Sequence, residues 1–349
     1  MAASGDNFNL AASTVRSLVG AALLLCLGVV VLGAYVRLSN AGLGCPDWPG
    51  CYGHLTPVGA AADSARQSAS AATRPFELGK AWREMVHRYA AGTLALLIVS
   101  LVLIGLMRAR QRVLPLPYVV TLLAIVIAQA LLGMLTVTRV LTPLVVTLHL
   151  LFGFTTLSLL LWLALSLPRR LPGERPAWRV AGADRGIARA RLFALAGLIA
   201  LGCQIALGGW TSSNYAAAAC PDFPTCQAQW WPAVDYRAGF DLRGPPALSY
   251  EGGVLDTPAR TAIQLTHRLG ALVISIVLGS AALAALRVRD ATAQRAAGLV
   301  LAALALQLLL GISMVLEGFP LWLATAHSAG AALLLMATVA LNRCLRAQP

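Results

Sequence analysis

Eight stretches of about 18 or more residues contain no Asp, Glu, Lys or Arg: roughly 17–36, 89–107, 113–138, 140–168, 192–219, 269–286, 296–316 and 318–342. About 20 apolar residues in a helix cross the hydrocarbon core of a bilayer while satisfying their own backbone hydrogen bonds. The runs are continuous and lack the period-two alternation of barrel strands. With 58% hydrophobic residues, the chain is therefore expected to be an all-α integral membrane protein with eight transmembrane helices. Residues 1–16 are weakly polar, and no small-residue cleavage site follows the first run, so 17–36 reads as a retained anchor rather than a signal peptide.

The chain also states one pattern twice. Gly33, Cys45-Pro-Asp-Trp-Pro-Gly-Cys51, His87-Arg88, Gln129-x-x-x-Gly133 and His149 are followed by Gly208, Cys220-Pro-Asp-Phe-Pro-Thr-Cys226, His267-Arg268, Gln307-x-x-x-Gly311 and His327. The offsets are 175 for the cysteines, 180 for the first histidine and 178 for the second. A repeat of half the chain predicts two four-helix bundles, in residues 1–168 and 192–349, joined by an Arg-rich linker at 169–191. Four crossings per copy bring both copies into the membrane in the same direction, so a pseudo-twofold axis along the membrane normal should relate them.

A net charge of +13 raises the question of nucleic acid, but its distribution answers it. The side holding both termini and the loops near 108–112, 169–191 and 287–295 carries 16 basic and 4 acidic residues, against 11 and 10 on the other side. This is the positive-inside asymmetry, which places both termini in the cytoplasm and no nucleic acid among the partners. Two long external loops result, about 38–82 and 212–262. Ala60 to Thr73 in the first is Ala/Ser-rich. Trp230, Trp231, Tyr236, Phe240 and Tyr250 in the second suit a membrane interface.

Each external loop begins with a Cys-x5-Cys motif. On the oxidising side of a membrane, a disulfide within each motif, Cys45 with Cys51 and Cys220 with Cys226, is the natural reading. Zinc is the competitor, with a poor ligand set of two thiols plus His54 in the first motif and no nearby histidine in the second. Cys26, Cys203 and Cys344 look like packing residues.

Four of the five histidines, His87, His149, His267 and His327, occupy repeat-equivalent places in the external half of the membrane, on alternate helices. Polar groups in lipid are costly enough to demand a reason. A pair of imidazoles from facing helices is how a bundle grips a heme. Each half offers two histidines and no consistent third ligand, which disfavours copper or zinc. Gly92, Gly133, Gly153, Gly270, Gly311 and Gly330 would admit a large flat ligand. Arg88 and Arg268, each following a histidine, suit either heme propionates or lipid headgroups.

The copies differ three residues before the first histidine, where Glu84 faces Gln264. A carboxylate beside a heme face can relay protons or stabilise developing charge. Pairing with Lys80, Arg83 or Arg88 is the simpler alternative. The difference marks the first half as the reactive one and Glu84 as its candidate catalytic residue.

Together these residues resemble the heme A synthase family, also called heme O monooxygenase. The matching parts are Val36-Arg37-Leu38-Ser39, Gly42-Leu43-Gly44-Cys45-Pro46-Asp47-Trp48-Pro49, Glu84-Met85-Val86-His87-Arg88-Tyr89, His149, His267-Arg268-Leu269-Gly270 and His327. The resemblance implies a heme B ligated by His267 and His327 in the second half. It implies heme O as substrate, held by His87 and His149 in the first, with Glu84 important for activity. The reaction implied is O2-dependent oxidation of the heme O C8 methyl to the formyl of heme A, for cytochrome oxidase biogenesis. Implied partners are a heme O synthase (a farnesyltransferase), oxidase assembly factors, an electron donor of unknown identity and membrane lipid; self-association into a homo-oligomer is a further partner expectation. The implied location is the bacterial inner (cytoplasmic) membrane, with the cysteine loops periplasmic. Ser39-Asn40-Ala41-Gly42 departs from the family's Thr/Ser-Gly-Ser-Gly stretch. The alternatives are a quinol-linked diheme b-type electron carrier and a heme transporter or chaperone.

Overall fold

The computed structural model describes residues 2–59, 61, 76–108, 114–167 and 185–346. Eight helices among them are long and apolar enough to cross a membrane. They are α1 Ala2–Leu38, α2 Leu78–Met107, α3 Leu116–Thr138, α4 Pro143–Ser166, α5 Arg185–Ser213, α6 Thr257–Leu286, α7 Ala291–Leu316 and α8 Leu321–Leu345. A 3-10 turn at Ala217–Ala219 and a one-turn helix at Tyr236–Gly239 lie between α5 and α6. Most of the expected linker and of the Ala60 to Thr73 segment lies outside the described residues.

Several helices overrun the charge-free stretches. Helices α2 and α6 begin about eleven or twelve residues before the apolar runs at 89 and 269, taking in Lys80, Arg83, Glu84 and Arg88, or Arg260 and Arg268. His87 and His267 therefore lie more than two turns inside their helices rather than at the start. The reason is physical: a helix can continue past the hydrocarbon core where charged side chains find partners or water. Asp256 and Asp290 cap α6 and α7 by accepting from the backbone N–H of Ala259 and Ala293 at 3.0 and 2.7 Å. Pro143 and Pro258 sit in the first turns of α4 and α6, where a missing N–H costs nothing.

Helix α1 packs on α2, α2 on α3, α3 on α4, and α4 back on α1; α5 to α8 close the same ring. Between the rings, α4 touches α5 and α8, and α1 touches α8. The shared apolar core draws on both halves, with Leu157, Leu160, Leu278 and Leu341 fully buried. Leu24, Leu96, Leu272 and Leu309 point outward, as a lipid solvent permits. At the helix ends that carry the cysteine motifs, repeat-equivalent residues meet. Arg37 Nη2 donates to the carbonyl of Ser212 at 2.6 Å, and Tyr215 Oη donates to Asn40 Oδ1 at 3.0 Å, each pair 175 residues apart. The Arg37 guanidinium also lies 4.2 Å from the centre of the Tyr215 ring. Under a twofold relation only residues near the axis touch their own equivalents, so the packing is compatible with two pseudo-twofold-related four-helix bundles.

Both cysteine pairs are disulfides, with Cα–Cα distances of 4.8 Å for Cys45–Cys51 and 4.5 Å for Cys220–Cys226. Bonded to each other, the sulfurs are not thiolates for zinc. Each motif folds into the same small cap. Cys51 exchanges two backbone hydrogen bonds with His54, and Cys226 with Gln229. Asp47 accepts from the N–H of Tyr52 and Gly53 at 2.6 and 2.7 Å. Asp222 accepts from Gln227 and Ala228 at 2.6 and 3.0 Å. The Thr225 hydroxyl, helped by these amides, holds the Asp222 carboxyl below its ordinary pKa.

Two expectations need correction. Cys203 is exposed on the outer face rather than packed; Cys26 is buried and Cys344 half-buried. Trp230 and Trp231 are exposed as an interfacial role requires, but Phe240 packs beside Trp210 and Ile263. Tyr250 donates its N–H to Val140 at 3.2 Å and its hydroxyl to Pro245 at 3.0 Å.

Candidate functional site

The four histidines are set by one recurring device. Each ring, carried on α2, α4, α6 or α8, lies against a glycine of the preceding helix. A methyl group added at Gly33 on α1 would approach His87 Cε1 on α2 to 2.8 Å. The corresponding approaches are 3.2 Å from Gly133 on α3 to His149 on α4, 3.2 Å from Gly208 on α5 to His267 on α6, and 3.0 Å from Gly311 on α7 to His327 on α8. A side chain at Gly33 would force the His87 ring to shift, and at the other three positions the ring would have to give by a few tenths of an ångström. Within each half the two imidazoles are brought into electrostatic reach of one another, His87 with His149 and His267 with His327. Among the described residues, the Nδ1 atoms of His87, His149 and His327 are buried without a hydrogen-bond partner. Burying such a group unsatisfied is costly, so these atoms await something that the protein itself does not supply.

Glutamines stand one turn deeper. Gln204 Nε2 lies 3.2 Å from His267 Nδ1 and donates to the His267 carbonyl at 2.9 Å. Gln307 Nε2 lies 3.1 Å from His327 Nε2. In the first half Gln129 turns its carboxamide towards Gly153. The glycines expected to admit a flat ligand thus divide by role. Gly133 and Gly311 seat histidine rings; Gly153, Gly270 and Gly330 make room for glutamine side chains; and Gly92 has no neighbour close to where its Cβ would be.

The two arginines support the caps. Arg88 Nη1 donates to the carbonyls of Asp47 at 2.9 Å and Pro49 at 3.2 Å, and also to that of Gly50. Arg268 donates from Nη1 to Thr225 at 2.8 Å and from Nη2 to Cys220 at 2.9 Å. Neither role was visible in the sequence, where only the recurrence of His-Arg beside the cysteine motif hinted at a shared partner.

Glu84 is buried directly beneath the first cap. One of its oxygens accepts from the Cys45 N–H at 2.9 Å, and the other pairs with Arg88 Nη2. Of the three candidate cations, Arg88 is the partner: Lys80 pairs with Glu77 at 2.8 Å, and Arg83 donates to the Gly79 carbonyl at 3.0 Å. Gln264 is equally buried, but its Oε1 has no hydrogen-bond partner. A carboxylate held by one arginine and one amide is fixed in direction, and it can take up or return a proton when a reacting group approaches.

An eight-helix membrane protein with duplicated histidine pairs below disulfide caps defines a class, and residues 16–339 match the model of the cytochrome oxidase assembly protein family. The chain belongs to that family. It is similar to the heme A synthase of Shewanella oneidensis, at 41% identity over 321 residues, which cover 92% of this chain and 93% of that protein. It is also similar to the heme A synthases of Paracoccus denitrificans, at 28% identity covering 87% and 80% of the two chains, and of Rhizorhabdus wittichii, at 25% covering 90% and 89%.

Proposed function

We infer that this chain is an oxidoreductase of a bacterial membrane that converts heme O to heme A for cytochrome oxidase. Likeness to heme A synthases over nearly the whole chain carries this reading. That likeness does not favour the electron-carrier and transporter alternatives.

The residues present fit heme. Each half supplies two imidazoles, glycine seats that hold them, buried ring nitrogens without protein partners and apolar helix walls. His267 and His327 are assigned to a resident heme B, which when bound supplies electron transfer to the reactive half. His87 and His149 are assigned to the substrate, heme O. The first half, residues 1–168, is then the substrate module and 192–349 the heme B module. Both sites lie near the periplasmic face, with both termini cytoplasmic.

Glu84 is the catalytic residue in this reading. Arg88 pairs with one of its oxygens and fixes its direction, while the Cys45 N–H holds the second oxygen. From there it accepts or returns the proton that oxidation of the C8 methyl to a formyl requires, with O2 as oxidant. The guanidinium donors that Arg88 does not use on its cap and on Glu84, and that Arg268 does not use on its cap, would be available to hold heme propionates. A heme O-making farnesyltransferase and oxidase assembly factors are the neighbours this function needs, and a homo-oligomer is compatible with it.

Co-expression with a heme O-producing enzyme, followed by heme extraction, tests the reading. Heme A is expected. Folded, heme-loaded protein that leaves heme O unchanged would contradict it.

A further inference from the structure

The glutamine contacts differ between the halves in a way the repeat makes visible. In α3, α5 and α7 a glutamine lies four residues before the glycine that seats a histidine: Gln129 and Gly133, Gln204 and Gly208, Gln307 and Gly311. In α1 the equivalent of Gln204 is Val29, four residues before Gly33, and it packs into the apolar core. The slots that receive the carboxamides change with it. A Cβ at Gly270 or Gly330 would overlap Oε1 of Gln204 or Gln307. Three residues after the first-half histidines stand Ala90 and Phe152 instead of these glycines. Room opens one residue later, at Gly153, and there Gln129 points. Both second-half imidazoles therefore contact a glutamine side chain, His267 through Nδ1 and His327 through Nε2, whereas in the first half Gln129 points to Gly153; Nδ1 is unpartnered among the described residues in His87, His149 and His327 alike.

An imidazole that gives one nitrogen to iron carries its proton on the other, and the partner of that N–H sets ring orientation and ligand basicity. In both contacts Nε2 faces the ring, and turning the carboxamide over would present to such a proton the buried Oε1, which has no partner among the described residues. Resting on the assignment of the histidine pairs to hemes, we propose that Gln204 and Gln307 are positioning residues that make the second half a retaining heme site. Val29, Ala90 and Phe152 leave the first half an exchanging one. A site that admits heme O and releases heme A must let go in every cycle, since tight binding of product slows turnover. A resident heme has no such need.

The test uses the full chain, loaded by co-expression with a heme O producer, and follows heme loss to excess apomyoglobin together with the low-spin electron paramagnetic resonance spectrum. Gln204→Val should speed loss of heme B about tenfold and move the low-spin g values, because ring orientation is freed. Val29→Gln combined with Ala90→Gly should slow loss of first-half heme about tenfold and raise the fraction of product that copurifies. Should the double variant fail to fold, Gln307→Leu decides by the Gln204→Val criteria. Release rates and g values that match wild type in the folded variants overturn the proposal. A wild-type protein that never acquires heme, or a His267→Ala variant that keeps its full low-spin signal, would instead sink the assignment on which it rests.

Discussion

The two halves share a scaffold and differ at the few places where chemistry has to differ. Both seat imidazoles on glycines, both close a disulfide cap above them, and both tie that cap down with the arginine that follows the histidine. Under the first cap lies a carboxylate, Glu84, ion-paired and hydrogen-bonded to the cap. Under the second lies an amide with an idle oxygen, Gln264. In the proposed reading, duplication supplies a symmetric cofactor cage, and substitution at single buried positions turns one cage reactive. On that reading, an enzyme site and a cofactor site would differ by one carboxyl group and by the polar partners of the imidazole rings.

The largest contrast should come from Glu84→Gln, which makes the first half resemble the second. Conversion of heme O should fall about a hundredfold while total heme binding persists, read by extracting and separating the hemes. Unaltered product formation would remove Glu84 from catalysis. Next come the glycine seats. Gly33→Ala must move the His87 ring, because its methyl would lie 2.8 Å from Cε1, whereas Gly208→Ala meets His267 at 3.2 Å. The first should lower heme A output about tenfold, and the second should reduce heme B content less. Equal effects would mean that the rings are not held by these seats.

Opening the caps sharpens the comparison further. Replacing Cys45 and Cys51 together by alanine, or Cys220 and Cys226 together, removes a short loop closure worth about 2 kcal/mol in either case. Only the first should also slow conversion, since only the first cap holds the carboxylate. Thermal denaturation in detergent measures the shared loss, and heme separation measures the difference. The smallest effect concerns a turn. Val140 adopts φ +50° where the second half has Gly318 at +71°. Val140→Gly should stabilise the protein by about 1 kcal/mol and Gly318→Val should destabilise it by a similar amount, each read as a shift in Tm.

The eight spans were legible because lipid demands continuous apolar sequence, and the caps because the cysteine motif recurs with its prolines and aspartate. Helix starts were not. Lys80, Glu84 and Arg88 break the apolar run of α2, yet the helix continues beneath a cap that pairs its charges. Glu84 stood out by contrast with Gln264, but its partners lie 4 and 39 residues away, and the sequence does not encode which of three nearby cations it meets. The glutamines were visible in part, as Gln-x-x-x-Gly in α3 and α7. Their contact with the imidazoles, and the loss of one at Val29, emerges only when α1 is laid beside α5. Arg88 and Arg268 showed their charge and recurrence; that they clasp backbone carbonyls of the caps follows from three-dimensional packing alone.

The account rests on paired imidazoles holding a different heme in each half. Heme content and identity, measured by pyridine hemochrome and chromatography on His87→Ala, His149→Ala, His267→Ala and His327→Ala, test this most directly. Heme B should disappear only with the α6 or α8 change, which should leave heme O unconverted, and bound first-half heme, whether heme O or heme A, should disappear only with the α2 or α4 change. Four folded variants that all keep the wild-type complement of hemes would contradict it.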